Sequence, residues 1–187
     1  TWIIFTADHG EMLGDHHMSQ KNLFFEGSAH VPLLIMPPQG RSLPHNISVE
    51  APTDLVDIYP TILAMAGLSS PVSVSGKNLL EPVPMDRIFF GNSLNRNFCV
   101  MEEKVKLVYS AVGDHVLLFD LNTDPMEQHN LAEDPDWQER KAKLWKLLLE
   151  HTAQYTPEAL DENGQFLTYE APRFPGDMPG RWFGFHY

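Results

Sequence analysis

Between residues 87 and 121 four short β-rich runs follow one another: Arg87–Gly91, Phe98–Glu102, Lys106–Ser110 and Val116–Leu121. Turn material such as Gly91-Asn92 and Gly113-Asp114 separates them, and strand-length runs between turn signals predict an antiparallel meander. The next periodic stretch is helical. Asp134 can cap it, Pro135 suits the first helical position, and Trp137, Leu144, Trp145, Leu148 and Leu149 recur on one face, so a helix is predicted over about 135–154. Its tryptophan stripe reads as core, and Asp136/Arg140 and Glu139/Lys143 stand i,i+4 on the wet side. Past Tyr155 the chain is rich in Pro, Gly and aromatics with little period. This is an irregular tail whose Trp182, Phe183, Phe185, His186 and Tyr187 are expected to pack over the sheet.

The part before residue 86 has a different texture. Trp2–Thr6 is a continuous apolar, β-rich run, which predicts a strand buried on both faces, and Val31–Met36 is a second run of the kind. Leu55, Ile58, Tyr59, Ile62, Leu63 and Ala66 follow the spacing of one apolar helix face, with Thr53 or Asp54 as cap and Gly67 as stop. Pro60 inside that pattern removes a backbone donor, so either a kink or a helix start is expected there. The expected organisation is an α/β part, 1–85, and a C-terminal part, 86–187, made of antiparallel strands, the packed helix and the tail.

With 13 Lys and Arg against 25 Asp and Glu the net charge is −12. The densest basic stretch, Arg140 to Lys146, shares its helix with acids, which argues against a nucleic-acid partner. A single cysteine, Cys99, rules out an internal disulfide or a multi-cysteine zinc site, and its apolar setting reads as core. The most apolar stretch, Val31 to Pro38, falls short of the ~20 residues of a membrane span. The sequence opens at Thr1 straight into an apolar run, and so reads as the later part of a longer polypeptide.

Chemistry in α/β sheets gathers just past the carboxyl ends of strands, and Asp8-His9-Gly10 follows the first run directly. Asp8 and His9 can offer a carboxylate and an imidazole to one metal ion, and Gly10 lets the backbone turn without a side chain in the way. The same residues are also good turn formers. Lys21 comes thirteen residues after Asp8. An ammonium there can neutralise charge on a leaving oxygen, or be a solvated surface lysine. His16 and His17 follow Asp15 in the intervening loop, either as an exposed pair or, at His17 above all, as part of a substrate pocket. Glu11 and Asp15 are hydrogen-bond partners of the site or plain loop acids.

Several segments, taken in order, resemble the carboxy-terminal half of the sulfatase (arylsulfatase-like) family of the alkaline phosphatase superfamily. They are Thr6 to Asp15, Lys21, Phe25 to Ile35, Asp57 to Leu63 with Ala66-Gly67, Gly76 to Leu80, and Leu118-Phe119-Asp120-Leu121 through Glu127 to Asn130-Leu131-Ala132. The likeness runs to about residue 150. It implies an α/β fold in which 1–85 is the C-terminal part of an alkaline-phosphatase-like mixed sheet flanked by helices, followed by a small antiparallel sheet with a packed helix. It also implies hydrolysis of the sulfate ester of a small molecule or glycan. One divalent cation, usually calcium, would be held by Asp8, by His9 and by two acidic residues of the N-terminal half of the same polypeptide. Manganese and magnesium remain open, because an imidazole at position 9 is a softer donor than calcium prefers.

By the same resemblance Asp8 orients the nucleophile, and Lys21 contacts the sulfate and its leaving oxygen. The nucleophile is a formylglycine made within a Cys/Ser-x-Pro/Ala-Ser-Arg motif that these residues do not contain, so the piece alone is expected to be inactive. His30 stands where relatives often carry Arg before Val-Pro. The Asp-His-Gly element marks the superfamily and not the substrate. A phosphonate monoester or phosphodiester hydrolase, and a non-catalytic chain that keeps the fold, are the alternatives.

Overall fold

The computed structural model describes residues 1–21, 23–40 and 47–170, so the tail aromatics from Trp182 on lie outside the described residues. Two compact units emerge: residues 1–8 with 31–87, and residues 9–30 with 88 onward. Residues 9–30, which a single cut near residue 85 would leave with the first part, pack with the second.

In the first unit β1 (Ile3–Thr6) and β2 (Leu33–Met36) pair antiparallel, Ile3 opposite Met36 and Thr6 opposite Leu33. The pleat then sorts side chains by parity. Ile4, Thr6, Leu33 and Ile35 are half-buried, whereas Ile3 (50% exposed), Phe5 (62%), Leu34 (57%) and Met36 (54%) share the outward face. The continuous apolar run predicted burial on both sides. Two strands bury one, because among the described residues no layer covers the other.

A 3-10 turn, Leu55–Asp57, leads into α1 (Ile58–Met65). Pro60 falls in the first turn, where a missing N–H breaks no helical hydrogen bond, so the helix starts just ahead of it. Gly67 ends it at φ +72°: its N–H donates to Ala64 O (3.1 Å) and that of Leu68 to Leu63 O (2.8 Å).

The buried face of α1 is not the apolar stripe. Leu55, Tyr59 and Ile62 are exposed, while Asp57 and Thr61 are fully buried. A polar network draws them in. The Asp57 carboxylate accepts the N–H groups of Asp54 (2.8 Å) and Lys77 (2.7 Å) and both arms of the Arg87 guanidinium (Nη2–Oδ1 2.9 Å). Thr61 Oγ1 donates to Asp57 O (2.6 Å) and accepts Leu79 N–H (2.9 Å). Burial alone would raise the Asp57 carboxyl, but Arg87 and the two amides hold it below its ordinary value. The loop crosses closely enough that a Cβ on Gly76 would stand 2.1 Å from Val56 O.

In the second unit β3 (Phe89–Ser93), β4 (Asn97–Glu102), β5 (Val105–Ser110) and β6 (His115–Asp120) form the predicted meander, each paired with its chain neighbour. The predicted helix follows as a 3-10 turn, Pro135–Trp137, and α2 (Gln138–Tyr155), with Asp134 Oδ1 accepting Asp136 N–H (2.9 Å) as cap. α2 lays Leu144 and Leu148 on the sheet face of Phe98, Val100, Leu107 and Leu118. Trp145 meets Tyr109 edge-on at 4.9 Å, so the tryptophan stripe is core.

Before the described residues end, Phe166 joins this cluster at 4.6 Å from the rings of both Phe98 and Tyr109. Cys99 is buried, and burial pushes its thiol up to about 12. The expected i,i+4 pairs on α2 are replaced by longer-range ones. Arg140 reaches Glu102 (2.8 Å) and Glu103 (3.2 Å), and Lys143 reaches Glu102 (2.6 Å).

The opposite sheet face is covered by residues 9–30. Met12, Leu23 and Phe25 are buried with Phe119, each apolar side chain worth about 1.5–3 kcal/mol of burial. Gly91 of β3 leaves room for Phe24, whose ring would lie 2.4 Å from an added Cβ. Covered on both sides, β5 is buried at every residue. No helix among the described residues is long and apolar enough to cross a membrane.

Candidate functional site

Asp8 ends the stretch that belongs to the first unit and stands exposed just past β1; His9 begins the stretch that belongs to the second. His9 Nδ1 lies 2.8 Å from Gly10 O. A carbonyl can only accept, so Nδ1 is the donor in this contact. Metal-binding imidazoles are commonly oriented in this way, by donating the other ring N–H to a backbone carbonyl. By type, a carboxylate and an imidazole both belong to the donor set of a divalent cation. Among the described residues no group of three or more His, Cys, Asp or Glu gathers as a complete metal cage.

The backbone from 10 to 28 is closed by a short ladder. Gly10 N–H donates to Ser28 O (2.8 Å), Glu11 N–H to Gly27 O (3.0 Å) and Met12 N–H to Gln20 O (3.0 Å). A side chain on Gly10 would come 2.1 Å from Gly27 O, which explains glycine here more directly than freedom to turn does. The Glu11 carboxylate accepts the Gln20 N–H, so Glu11 stitches the two arms of the loop, while Asp15 lies exposed on its tip. The tip is strained: Leu13, His16, His17 and Gln20 all hold positive φ, between 52° and 70°.

His16 stacks on Phe25 at 4.1 Å and is thereby part of the packing, whereas His17 is exposed. Lys21 is also exposed, and its backbone carbonyl (3.0 Å) and that of Leu23 (2.5 Å) share the Ser28 hydroxyl. The helical turn Glu26–Ala29 therefore touches both arms, Gly10 through the Ser28 carbonyl and Lys21 through the Ser28 hydroxyl.

What holds that turn was not singled out from sequence. Lys106 of β5, nearly fully buried, directs Nζ to Phe24 O (2.9 Å), to Glu127 Oε1 (2.9 Å) and to the Glu26 carboxylate. The other oxygen of Glu127 accepts Glu26 N–H at 2.7 Å. His30 pairs with Glu26 at 2.7 Å. Burial works to raise the Glu26 carboxyl, and Lys106 and then His30 outweigh it and hold it low. Burial likewise works to lower the Lys106 ammonium, and Glu127 foremost carries it above its ordinary value. The signal was present: a lone lysine among Val105, Leu107 and Val108, in a strand between two covered faces, has to be paired.

The Sulfatase family profile matches residues 1–68. Arylsulfatase K of Xenopus laevis is 34% identical over 152 residues, 71% of this chain and 28% of that protein. The choline-sulfatase of Rhizobium meliloti (strain 1021) is 35% identical over 191 residues, 92% of this chain and 36% of that protein. The phosphonate monoester hydrolase of Agrobacterium radiobacter superposes with a TM-score of 0.65 at 33% identity, over 88% of this chain and 38% of its own. The architecture, mixed α/β with antiparallel sheets and a packed helix, is thus that of alkaline-phosphatase-like hydrolases. Within that class the chain belongs to the sulfatase family. It spans about a third of the length of the relatives it matches.

Proposed function

We propose that the full-length protein hydrolyses a sulfate ester, of a small molecule or a glycan, to the alcohol and sulfate. The observation that carries this reading is the segment from Asp8 to Lys21, which falls inside the stretch matched to the family and is folded into one closed loop from Gly10 to Ser28. Asp8 and His9 serve as two ligands of a single divalent cation, calcium first and manganese or magnesium as alternatives. When bound, that cation acts as a Lewis acid on the sulfate oxygens. Asp8 also orients the attacking hydroxyl. Lys21 offers its ammonium to the sulfate and to the bridging oxygen, where negative charge grows as the S–O bond breaks. His17, exposed near the tip, contributes to the mouth that receives the alcohol. The remaining acidic ligands and the formylglycine nucleophile come from residues outside these 187.

The test uses the full-length protein on an aryl sulfate, with metal content measured in parallel. Lys21→Ala is expected to lower kcat about 10²–10³-fold, the scale of losing one preorganised charge-stabilising donor. His9→Ala is expected to lower bound cation as well. The 187-residue chain alone is expected to give no turnover. Full activity in Lys21→Ala would overturn the assigned role. A second reading, phosphonate monoester hydrolysis, is favoured by the similarity to the Agrobacterium enzyme. A large preference for aryl phosphonate over aryl sulfate would select it. Absence of both bound metal and turnover would select a non-catalytic chain.

A further inference from the structure

We infer that Lys106 and Glu127, which lie on and just after the four-stranded sheet, are positioning residues for the reaction: through Glu26 they fix the helical turn that holds the backbone at Lys21 and at Gly10, beside His9. The inference rests on the sulfate-ester reading for its reaction, and on the geometry of the second unit for everything else.

The chain of contacts is short and nearly fully buried at its base. Lys106 Nζ gathers Phe24 O, Glu26 and Glu127, and Glu127 in turn accepts the Glu26 amide. The start of the turn Glu26–Ala29 is therefore gripped at its amide, its side chain and the carbonyl two residues before it. From the same turn the Ser28 hydroxyl is shared between Leu23 O (2.5 Å) and Lys21 O (3.0 Å), and the Ser28 carbonyl accepts Gly10 N–H. These hydrogen bonds link the sheet, through the turn, to the two backbone points that flank the loop.

The loop between those points has hydrogen bonds of its own, such as Met12 N–H to Gln20 O and Gly14 N–H to Met18 O, but its tip is held in a strained backbone conformation. Its tip carries four non-glycine residues at positive φ, a conformation that persists only where surrounding structure imposes it. The hydrophobic contacts of Met12, Leu23 and Phe25 supply affinity for the sheet, but apolar packing is non-directional. The ion-pair cluster supplies the directional part, which sets the height and rotation of the turn. Lys106 is nearly fully buried with its ammonium taken up by Phe24 O, Glu26 and Glu127, so its effect on the reaction passes through Lys21 and His9. A displacement of about 1 Å in such a group is enough to cost on the order of 10²-fold in rate.

The experiment is a double-mutant cycle in the full-length protein combined with amide exchange. Lys106→Met alone is expected to lower kcat for an aryl sulfate by about 10–100-fold. In the Lys21→Ala background, Lys106→Met is expected to cost less than about 3-fold, because the group it positions is already gone. Equal losses in both backgrounds would overturn the positioning role and leave Lys106 a purely structural residue.

Independently of turnover, the amides of Gly10, Glu11 and Met12 are expected to exchange at least about 10-fold faster in Lys106→Met, with those of α2 unchanged. Unaltered exchange at 10–12 would overturn the inference. If Lys106→Met does not fold, Glu127→Gln, which keeps one acceptor for the ammonium and removes the charge, replaces it in both arms and is read the same way. A wild-type protein that turns over neither sulfate nor phosphonate ester overturns the reaction and the positioning role with it, whereas wild-type turnover with multiplicative losses overturns the positioning role alone.

Discussion

The two sheets treat apolar and charged residues in opposite ways. β5 includes Lys106 and Ser110 and is buried throughout, whereas β1 is Ile-Ile-Phe-Thr and leaves Ile3 and Phe5 exposed. The four-stranded sheet has α2 on one face and residues 9–30 on the other; the β1–β2 pair has one face uncovered among the described residues. Burial is therefore a property of the layers a strand meets and not of its own hydrophobicity. A lysine goes inside where carboxylates and a carbonyl wait for it, and a phenylalanine stays outside where nothing is laid upon it.

The comparison can be broken most forcefully at the buried charges. Asp57→Ala leaves the Arg87 guanidinium without its carboxylate and is expected to destabilise the first unit by about 3–5 kcal/mol, measured by chemical denaturation. The same pair sets an acid limit. Asp57 and Glu26 are both held below the ordinary carboxyl range of about 4, so their contribution is present above that pH and is lost as the pH falls through the folded values beneath it. Lys106, held above its ordinary value, contributes below about pH 10 and loses its contribution only above the raised folded value. Stability should be level from about pH 7 to 8, begin to slip below about pH 6.5 as His151, held low by burial, is protonated, and fall further below about pH 4; undiminished stability at pH 3 would contradict the pairing.

Next in size, Leu107→Ala removes a fully buried side chain between α2 and the sheet and should cost about 2–5 kcal/mol. Gly91→Ala, which forces the Phe24 ring aside, should cost about 1–3 kcal/mol and loosen residues 9–30 selectively, visible as faster amide exchange there. Smallest of all, Leu34→Thr on the outward face of β2 should change the stability of the 187-residue chain by no more than about 0.5 kcal/mol. A loss comparable to that of Leu107→Ala would mean that both sheets are covered alike, and the contrast would be void.

The parts of this fold that could be read from residues alone are those governed by local rules. Strand-length runs between turn residues marked β3 to β6, and Asp134-Pro135 marked the start of the helical stretch, because turn chemistry and capping act over a few residues. Gly67 announced the end of α1 for the same reason. Periodicity misled where two faces competed. The apolar stripe of α1 marks one helix face, yet Asp57 and Thr61 are inside, because Lys77, Leu79 and Arg87 bring donors from 18 to 30 residues away.

The candidate site divides in the same way. Asp8, His9 and Lys21 stood out by residue type and spacing, whereas Lys106 and Glu127, which grip the turn between the two arms of that loop, did not. The separation from Lys106 to Glu26 is 80 residues.

Sequence by itself determined where this chain makes strands, turns and helices, and which side chains are candidates by type for metal-ligating or anion-binding chemistry, since both follow from side-chain type and short-range order. Tertiary structure alone decided which faces are covered, which charges are buried, and which distant strand steadies the loop from Gly10 to Ser28. Those outcomes depend on the desolvation of a group being offset by a partner, and no local pattern encodes where in the chain that partner lies.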